Sequence, residues 1–396
     1  MAKEKSKVLP RHDTGIYAHI VGWGMAVPDT IMTNNDLSAI VETSDEWISA
    51  RTGIRERRIA NDKESATTLA IRAAQRALDV ADVLPGEINL IIVATSTAEN
   101  VFPSTASLVQ DALGASYAGA FDLSAACSGF VYALDMAAQS IRTGSIQSAL
   151  VIGAETMSRV LDWKDRSTCI LFGDGAGAVV LKASTEHGGI LSSVLRSDGA
   201  GAELLAIPTH NNIALGELKI QKMVMAGGEV FKFATRVVDE SVRQVVEGAG
   251  IRLEDVKLIV PHQANQRILD SVAKKLKLDP EKLYSNLSKY GNTSAASIPI
   301  ALCEAIENGR LSEGDYVVFV GFGGGLSWAA MSVKWGAPVL ESSRSLVKTR
   351  RRQFQYFLAR WRNRILGWQR GLSNTLKILS PRRIRASFKD DEKSGG

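Results

Sequence analysis

The sequence predicts an α/β protein made of two similar halves. Three observations carry that reading. Apolar runs of strand length alternate with segments of helical period from residue 64 onward. The plan then recurs: the helix, turn and strand of residues 134–153 match residues 300–321, and the strand at 90–93 matches 258–260, at an offset of about 165–168 residues. Glycine is abundant, 34 of 396 residues, and 45% of the chain is hydrophobic, which suits tight strand–helix turns around a large core. Two βαβ-type halves packed back to back bring the reactive groups of both to one junction.

Residues 1–15 read as a disordered lead-in, charged and without the apolar stretch of a secretory leader. No uninterrupted apolar run is long enough to span a bilayer, and the expected location is the cytoplasm. The first half, 16–185, opens with a strand at 17–23 that ends toward Gly24 and Pro28. Thr43 or Ser44 caps the next helix, with Asp45 and Glu46 in its first turn. Residues 51–58 form a basic loop, by itself most simply a solvated charge run. Helix 66–81, strand 88–94 and helix 104–113 follow. Apolar residues at Val131, Leu134, Ala138 and Ile141 mark another helix, and 149–153 another strand. Gly173, Gly175 and Gly177 lead into a strand, whereas a dinucleotide fingerprint follows a strand and opens a helix, so they are not a phosphate loop. The second half, 186–335, has a helix at 237–249, a strand at 256–260 and a helix at 266–276.

Charge separates the body from the tail. Residues 336–396 hold 15 Lys and Arg against 4 Asp and Glu, leaving 32 basic against 38 acidic residues in the body. The net charge of +5 is thus a property of the tail, and nucleic acid is not an expected partner. The three cysteines form no CxxC pair, and their odd number argues for a reducing compartment and against a disulfide framework. No motif supports a metal site.

Chemistry is expected first at Cys127, where a run of small and apolar residues turns into a helix. Free amides and the helix dipole at such a terminus favour a thiolate, although a free cysteine is more often an inert small hydrophobe. His262 directly follows an apolar strand, an end where α/β folds place ligands. Asn292 lies in a Gly/Ser-rich turn before a helix, where a cap or turn residue is the plainer reading. The glycine turn at 321–325 follows a strand and either lines an anion with its amides or is only a tight turn. Each signal is weak alone; together they sit at element ends in corresponding parts of two halves.

Five stretches then carry a resemblance: Thr43–Ile48, Arg51–Glu56, Ala125–Phe130, Val260–Asn265 and Gly291–Ser297 resemble the β-ketoacyl-acyl-carrier-protein synthase III family in the same order. The resemblance runs from about Tyr17 to Trp335. It implies the thiolase fold, five αβαβα layers from two duplicated halves, in a homodimer. It implies a ping-pong condensation in which Cys127 takes an acyl group from acyl-CoA and malonyl-acyl carrier protein then discharges it, with CoA thioesters as substrates and no cofactor. By the same resemblance the amides of Cys127 and Gly324 form an oxyanion hole, His262 and Asn292 stabilise the enolate, and Phe322 excludes water. Trp47, Arg51 and Arg166 match positions at the nucleotide end of CoA. Thr52, Gly227, Phe231, Ala264 and Asn265 match the pantetheine tunnel. Phe102 matches a residue reaching the acyl pocket across the dimer. Lys232, Arg267, Lys274 and Lys275 form a basic face for the carrier protein. Gly228 stands where the family commonly has Asn.

The family normally stops near Trp335. Beyond it, Phe354, Leu358, Trp361, Ile365, Trp368 and Leu372 alternate by four and three residues and make one apolar stripe of a basic amphipathic helix within 344–380. Arg351, Arg360, Arg362 and Arg364 flank the stripe, and Arg352 and Arg370 lie opposite. Such a helix suits an anionic membrane surface, with docking on the body or on a dimer mate, or a segment that binds a partner protein, as the alternatives. Beyond initiation of fatty acid synthesis, two readings stay open: a specialised acyltransferase or condensing enzyme of secondary metabolism, and a non-catalytic membrane-tethered scaffold. A hydrolase is disfavoured because this site is expected to keep water out.

Overall fold

A computed structural model describes residues 14–212, 217–336, 349–359 and 361. Two sheets are built to one plan. The first has five strands in the order Tyr17–Ala26, Asp174–Ser184, Ser148–Thr156, Leu90–Ala94 and Gly119–Leu123. The second runs Gly189–Ser197, Ser327–Lys334, Tyr316–Gly323 and Val256–Pro261. The order and directions agree: Leu90–Ala94 is parallel to Ser148–Thr156 as Val256–Pro261 is to Tyr316–Gly323, and the next two pairings are antiparallel in both. A single parallel bridge, Ile259 to Leu283, stands where the first sheet has its fifth strand. The duplication is in register: Leu90 pairs with Ala149 and Leu258 with Val317, each 168 residues on.

The layers follow from which faces are apolar. Helices Gly129–Arg142 and Ser297–Glu307 lie between the sheets, buried on nearly every side, which is why their sequences carry few charges. Helices Ala66–Ala81 and Thr105–Leu113 cover the outer face of the first sheet; Gly227–Gly248 and Gln266–Leu276 cover that of the second. Close approach at the centre needs small residues. A Cβ at Gly153 would fall 2.2 Å from the Ala295 carbonyl oxygen, so only glycine lets the strand meet the turn that carries Ser294. The protein has the five-layer thiolase fold.

Three expectations change. The helix read as 237–249 begins at Gly227, because Val230, Phe233 and Ala234 are buried at helical spacing and tertiary packing overrides two unfavourable glycines. The basic segment 51–58 is not a solvated loop. Glu56–Arg58 pairs with Ile31–Thr33, and the Arg57 side chain is buried, donating to the carbonyls of Met32 and Ile170 and to Asn34 Oδ1. Lastly, residues 349–359 form a helix that docks by the face opposite the apolar stripe. Arg352 is 0% exposed and donates to Asp79 at 2.9 Å and Asp82 at 2.7 Å. Tyr356 joins the core beneath helix Ala66–Ala81, and Ala359 lies against Gly114. Phe354, Phe357, Leu358 and Trp361 face outward, 44–58% exposed. Arg360 and the rest of the expected helix, including Ile365, Trp368, Arg370 and Leu372, lie outside the described residues.

Candidate active site

Strand Gly119–Leu123 runs into a one-turn 3-10 segment, Ala126–Ser128, and then into helix Gly129–Arg142. Ala126, just before Cys127, is held at φ 46°, a left-handed conformation. The other half repeats the device 168 residues later. Ser294, at φ 49°, opens the 3-10 segment Ser294–Ala296 before helix Ser297–Glu307. Non-glycine residues in this region are strained and persist only where packing holds them. The end of strand Tyr316–Gly323 closes over Cys127, since a Cβ at Gly323 would lie 2.9 Å from both Cβ and N of Cys127.

His262 follows strand Val256–Pro261, and its main-chain N–H donates to the Val320 carbonyl. Its Nδ1 lies 2.6 Å from the Ser297 hydroxyl. With that hydroxyl donating, the ring proton sits on Nε2. Burial lowers the imidazole pKa to about 3, so the ring is neutral. Phe322 packs edge-on against it with ring centroids 5.1 Å apart. Asn292 is fixed by main-chain bonds to Leu171 and Gly173, and its Oδ1 accepts from the Ser294 N–H at 2.8 Å. The acceptor atoms of both side chains are therefore engaged, and each has an N–H left to donate.

Cys127 departs from the thiolate expectation. Burial pushes its pKa up to about 12, outweighing the helix terminus, so the resting group is a thiol. Its Sγ donates to Ser294 Oγ at 3.4 Å. Ser294 and its partner Glu155 were not singled out from the sequence. The usable signal was a carboxylate ending the otherwise apolar run 149–154, which marks a buried charge in need of partners.

Cys127, His262, Asn292, Phe322 and Gly324 share one cavity of about 1190 Å³. Trp47, Arg51, Thr52, Gly227, Phe231, Lys232, Ala264, Asn265 and Arg267 also line it. The guanidinium groups of Arg51 and Arg166 lie 4.7 and 4.8 Å from the Trp47 ring centre, although Arg166 is not part of the lining. Asn265 caps helix Gln266–Leu276 through the Arg267 N–H. Gly228 faces open space, so the missing side chain leaves room. Apolar residues that the sequence did not point to, Met157, Leu205 and Met223 among them, line another part of the cavity. Lys274 and Lys275 are exposed outside the cavity, and Lys275 donates to the Thr235 carbonyl. Lys232 is paired with Glu229. Phe102 is 85% exposed and does not line this chain's cavity.

Known proteins share the sequence and the fold of this chain. Residues 121–199 and 246–335 match the family models for 3-oxoacyl-[acyl-carrier-protein (ACP)] synthase III and its C-terminal region. The chain is 54% identical over 325 residues to beta-ketoacyl-[acyl-carrier-protein] synthase III of Symbiobacterium thermophilum, covering 80% of this chain and 98% of that protein. It is 50% identical over 320 residues to the enzyme of the same name from Clostridium acetobutylicum, with coverage of 80% and 98%. The crystal structure of 3-oxoacyl-[acyl-carrier-protein] synthase III from Aquifex aeolicus superposes with a TM-score of 0.76 at 49% identity, over 80% of this chain and all of that one.

Proposed function

Because the chain belongs to the 3-oxoacyl-[acyl-carrier-protein] synthase III family, we propose a course for its reaction from its own residues. The activity is that of a condensing acyltransferase: a decarboxylative Claisen condensation of an acyl-CoA starter with malonyl-acyl carrier protein, which initiates fatty acid synthesis. Cys127 attacks the acyl-CoA carbonyl and keeps the acyl group as a thioester. The amides of Cys127 and Gly324 take the oxyanion. His262 Nε2–H and Asn292 Nδ2–H donate to the carbonyl of the malonyl thioester and hold the enolate as CO2 leaves. The carbanion then attacks the acyl-Cys127 carbonyl. Phe322, packed on the His262 ring, keeps water from that carbanion.

The observation that carries this reading is the pair of neutral donors. Ser297 engages His262 Nδ1 and Ser294 engages Asn292 Oδ1, so both side chains offer N–H groups in the cavity that holds Cys127. Neutral donors suit a charge that exists only in the transition state and intermediate. Intact-mass spectrometry after brief exposure to acyl-CoA, then to malonyl-carrier protein, tests it. Acylation of Cys127 followed by discharge as a β-ketoacyl product is expected; an acyl-enzyme that malonyl-carrier protein leaves intact would overturn it.

The nucleotide end of CoA is assigned to Trp47, Arg51 and Arg166, where an indole stacks on adenine and guanidinium groups meet phosphates. Thr52, Gly227, Phe231, Ala264 and Asn265 line the pantetheine path. Arg267 and Lys274, exposed on helix Gln266–Leu276, are the core of the carrier-protein face, with Lys232 and Lys275 at its margin. A homodimer forms through the edge strand Gly119–Leu123, which leaves Phe121 40% exposed, and Phe102 enters the partner's pocket. The chain divides into a Cys-bearing half, 16–185, and a His- and Asn-bearing half, 186–335, and the enzyme works in the cytoplasm. The outward face of Phe354, Phe357, Leu358 and Trp361 meets an anionic membrane surface. Its test is flotation with vesicles containing phosphatidylglycerol: the full chain should float and a chain ending at residue 340 should not.

A further inference from the structure

Behind the nucleophile lies a hydrogen-bonded path that joins both halves. Cys127 Sγ donates to Ser294 Oγ at 3.4 Å, and Ser294 Oγ donates to Glu155 Oε1 at 3.0 Å. All three side chains are buried. Thr97 Oγ1 donates to Glu155 Oε2 at 2.6 Å, and the Ser96 N–H reaches both carboxylate oxygens at 3.1 and 3.2 Å. Every one of these partners is neutral. The titratable groups nearby face elsewhere: Asp174, opposite Thr156 on the next strand, bonds Ser158 and the Ala60 amide, and His262 Nδ1 bonds Ser297. Cys127 is therefore the titratable group to which Glu155 is linked. A second negative charge beside a buried carboxylate is expensive, so a thiolate is most accessible when Glu155 takes up the proton that the sulfur gives up.

We propose that Ser294 and Glu155 carry the Cys127 proton through the catalytic cycle, an inference that rests on the acyl-transfer reading above. As the sulfur lone pair forms the bond to the acyl carbonyl, the Sγ–H bond breaks and its proton moves to Ser294 Oγ. The Ser294 proton moves to Glu155 Oε1. The C–S bond to CoA breaks, and the CoA thiolate leaves and takes a proton from solvent. In the acyl-enzyme Glu155 is a carboxylic acid. When the carbanion attacks the acyl group, Cys127 leaves as a thiolate and recovers the proton along the same path. One proton from solvent is consumed per turnover and no second charge accumulates in the site. Ser294 touches the reacting sulfur and is catalytic; Glu155 acts through it as a positioning residue. Burial supports the assignment by raising the Glu155 pKa to about 7, which makes the carboxylate a usable acceptor near neutrality.

The test compares wild type, Glu155→Gln and Ser294→Ala in single-turnover acylation by acetyl-CoA across the neutral and alkaline range. Glutamine keeps the size and the acceptor oxygen for Ser96 and Thr97 but takes no proton. Wild type should rise to about pH 7 and then level. Both variants should be slower at pH 7 by on the order of 10²-fold and should climb about tenfold per pH unit above it, because the proton then leaves to hydroxide. Reduced rates with the wild-type pH profile would reduce Glu155 to a structural tie and overturn the proposal. Should Glu155→Gln not fold, Ser294→Ala carries the same prediction. Alkylation of Cys127 by iodoacetamide over the same range uses no thioester. If acetyl-CoA acylates none of the proteins, the functional reading is in doubt, while the alkylation profile still decides the relay.

Discussion

Gly323→Ala isolates the steric setting of Cys127. Position 323 is strand backbone without a positive φ, so alanine adds one methyl group and no backbone strain. That methyl carbon would lie 2.9 Å from Cys127 Cβ and N and 3.1 Å from Sγ. Carbon atoms rest roughly 3.5–4.0 Å apart, so something must move by about 0.6–1 Å. The strand is paired with Ser327–Lys334 as far as Gly323 and with Val256–Pro261 as far as Val320, so part of the shift falls on Cys127. A misplacement of about 1 Å lowers a reaction by roughly 10²-fold, about 2.7 kcal/mol of barrier. Overpacking also lowers stability by about 1–3 kcal/mol. Rapid-quench intact-mass measurement of Cys127 acylation reads the first effect and thermal unfolding the second. Gly86→Ala, which meets open space, serves as the control and should change neither. Acylation within threefold of wild type at an unchanged melting temperature would refute the claim that this strand end positions the sulfur.

His262→Ala should leave acylation of Cys127 within a few-fold while slowing decarboxylation of malonyl-carrier protein by on the order of 10²–10³; equal loss in both steps would contradict the division of labour. The pKa of buried His262, lowered to about 3, lies below the unfolded value of roughly 6.5, so the unfolded chain binds the extra proton. Stability is then lost as pH falls from about 6.5 toward 3, by up to about 1.4 kcal/mol per pH unit from this group. His262→Asn should flatten the pH dependence of the urea midpoint over that range, and identical slopes would show that the ring is not held neutral. Arg352→Ala removes the bonds to Asp79 and Asp82, and docking of residues 349–359 should weaken by about 2 kcal/mol. Hydrogen exchange of their amides should quicken roughly 30-fold, with synthase activity unchanged; unaltered exchange would mean that Tyr356 and Ala359 suffice.

Much of the plan was legible because it is written locally. Strand and helix periods, interrupted by Gly and Pro, marked most elements, and the recurrence of those marks exposed the duplication that the sheets repeat in register. Cys127, His262 and Asn292 stood out because each follows an element end, and the resemblance grouped them. The misjudged segments are those whose environment is remote. Arg57 looked solvated, yet it is buried against Met32, Asn34 and Ile170, the last of them 113 residues away. The extension was legible as an amphipathic helix, with docking on the body as the alternative to a membrane surface, but the docking residue was not: Arg352 is buried while Phe354, Leu358 and Trp361 point outward, because two aspartates at the end of helix Ala66–Ala81 meet its guanidinium.

The sequence by itself determined the two-half α/β architecture and the basic, amphipathic character of the tail, since period, punctuation and composition are properties of neighbours along the chain, and through the resemblance it named Cys127, His262 and Asn292 as the candidate reacting groups. Only the tertiary structure decided the states of those groups. Ser297 meets His262 Nδ1 from 35 residues away, Ser294 meets Cys127 across 167 residues, and Glu155 meets Ser294 across 139. Protonation depends on burial and on partners in space, and no local pattern records what a side chain will be buried against.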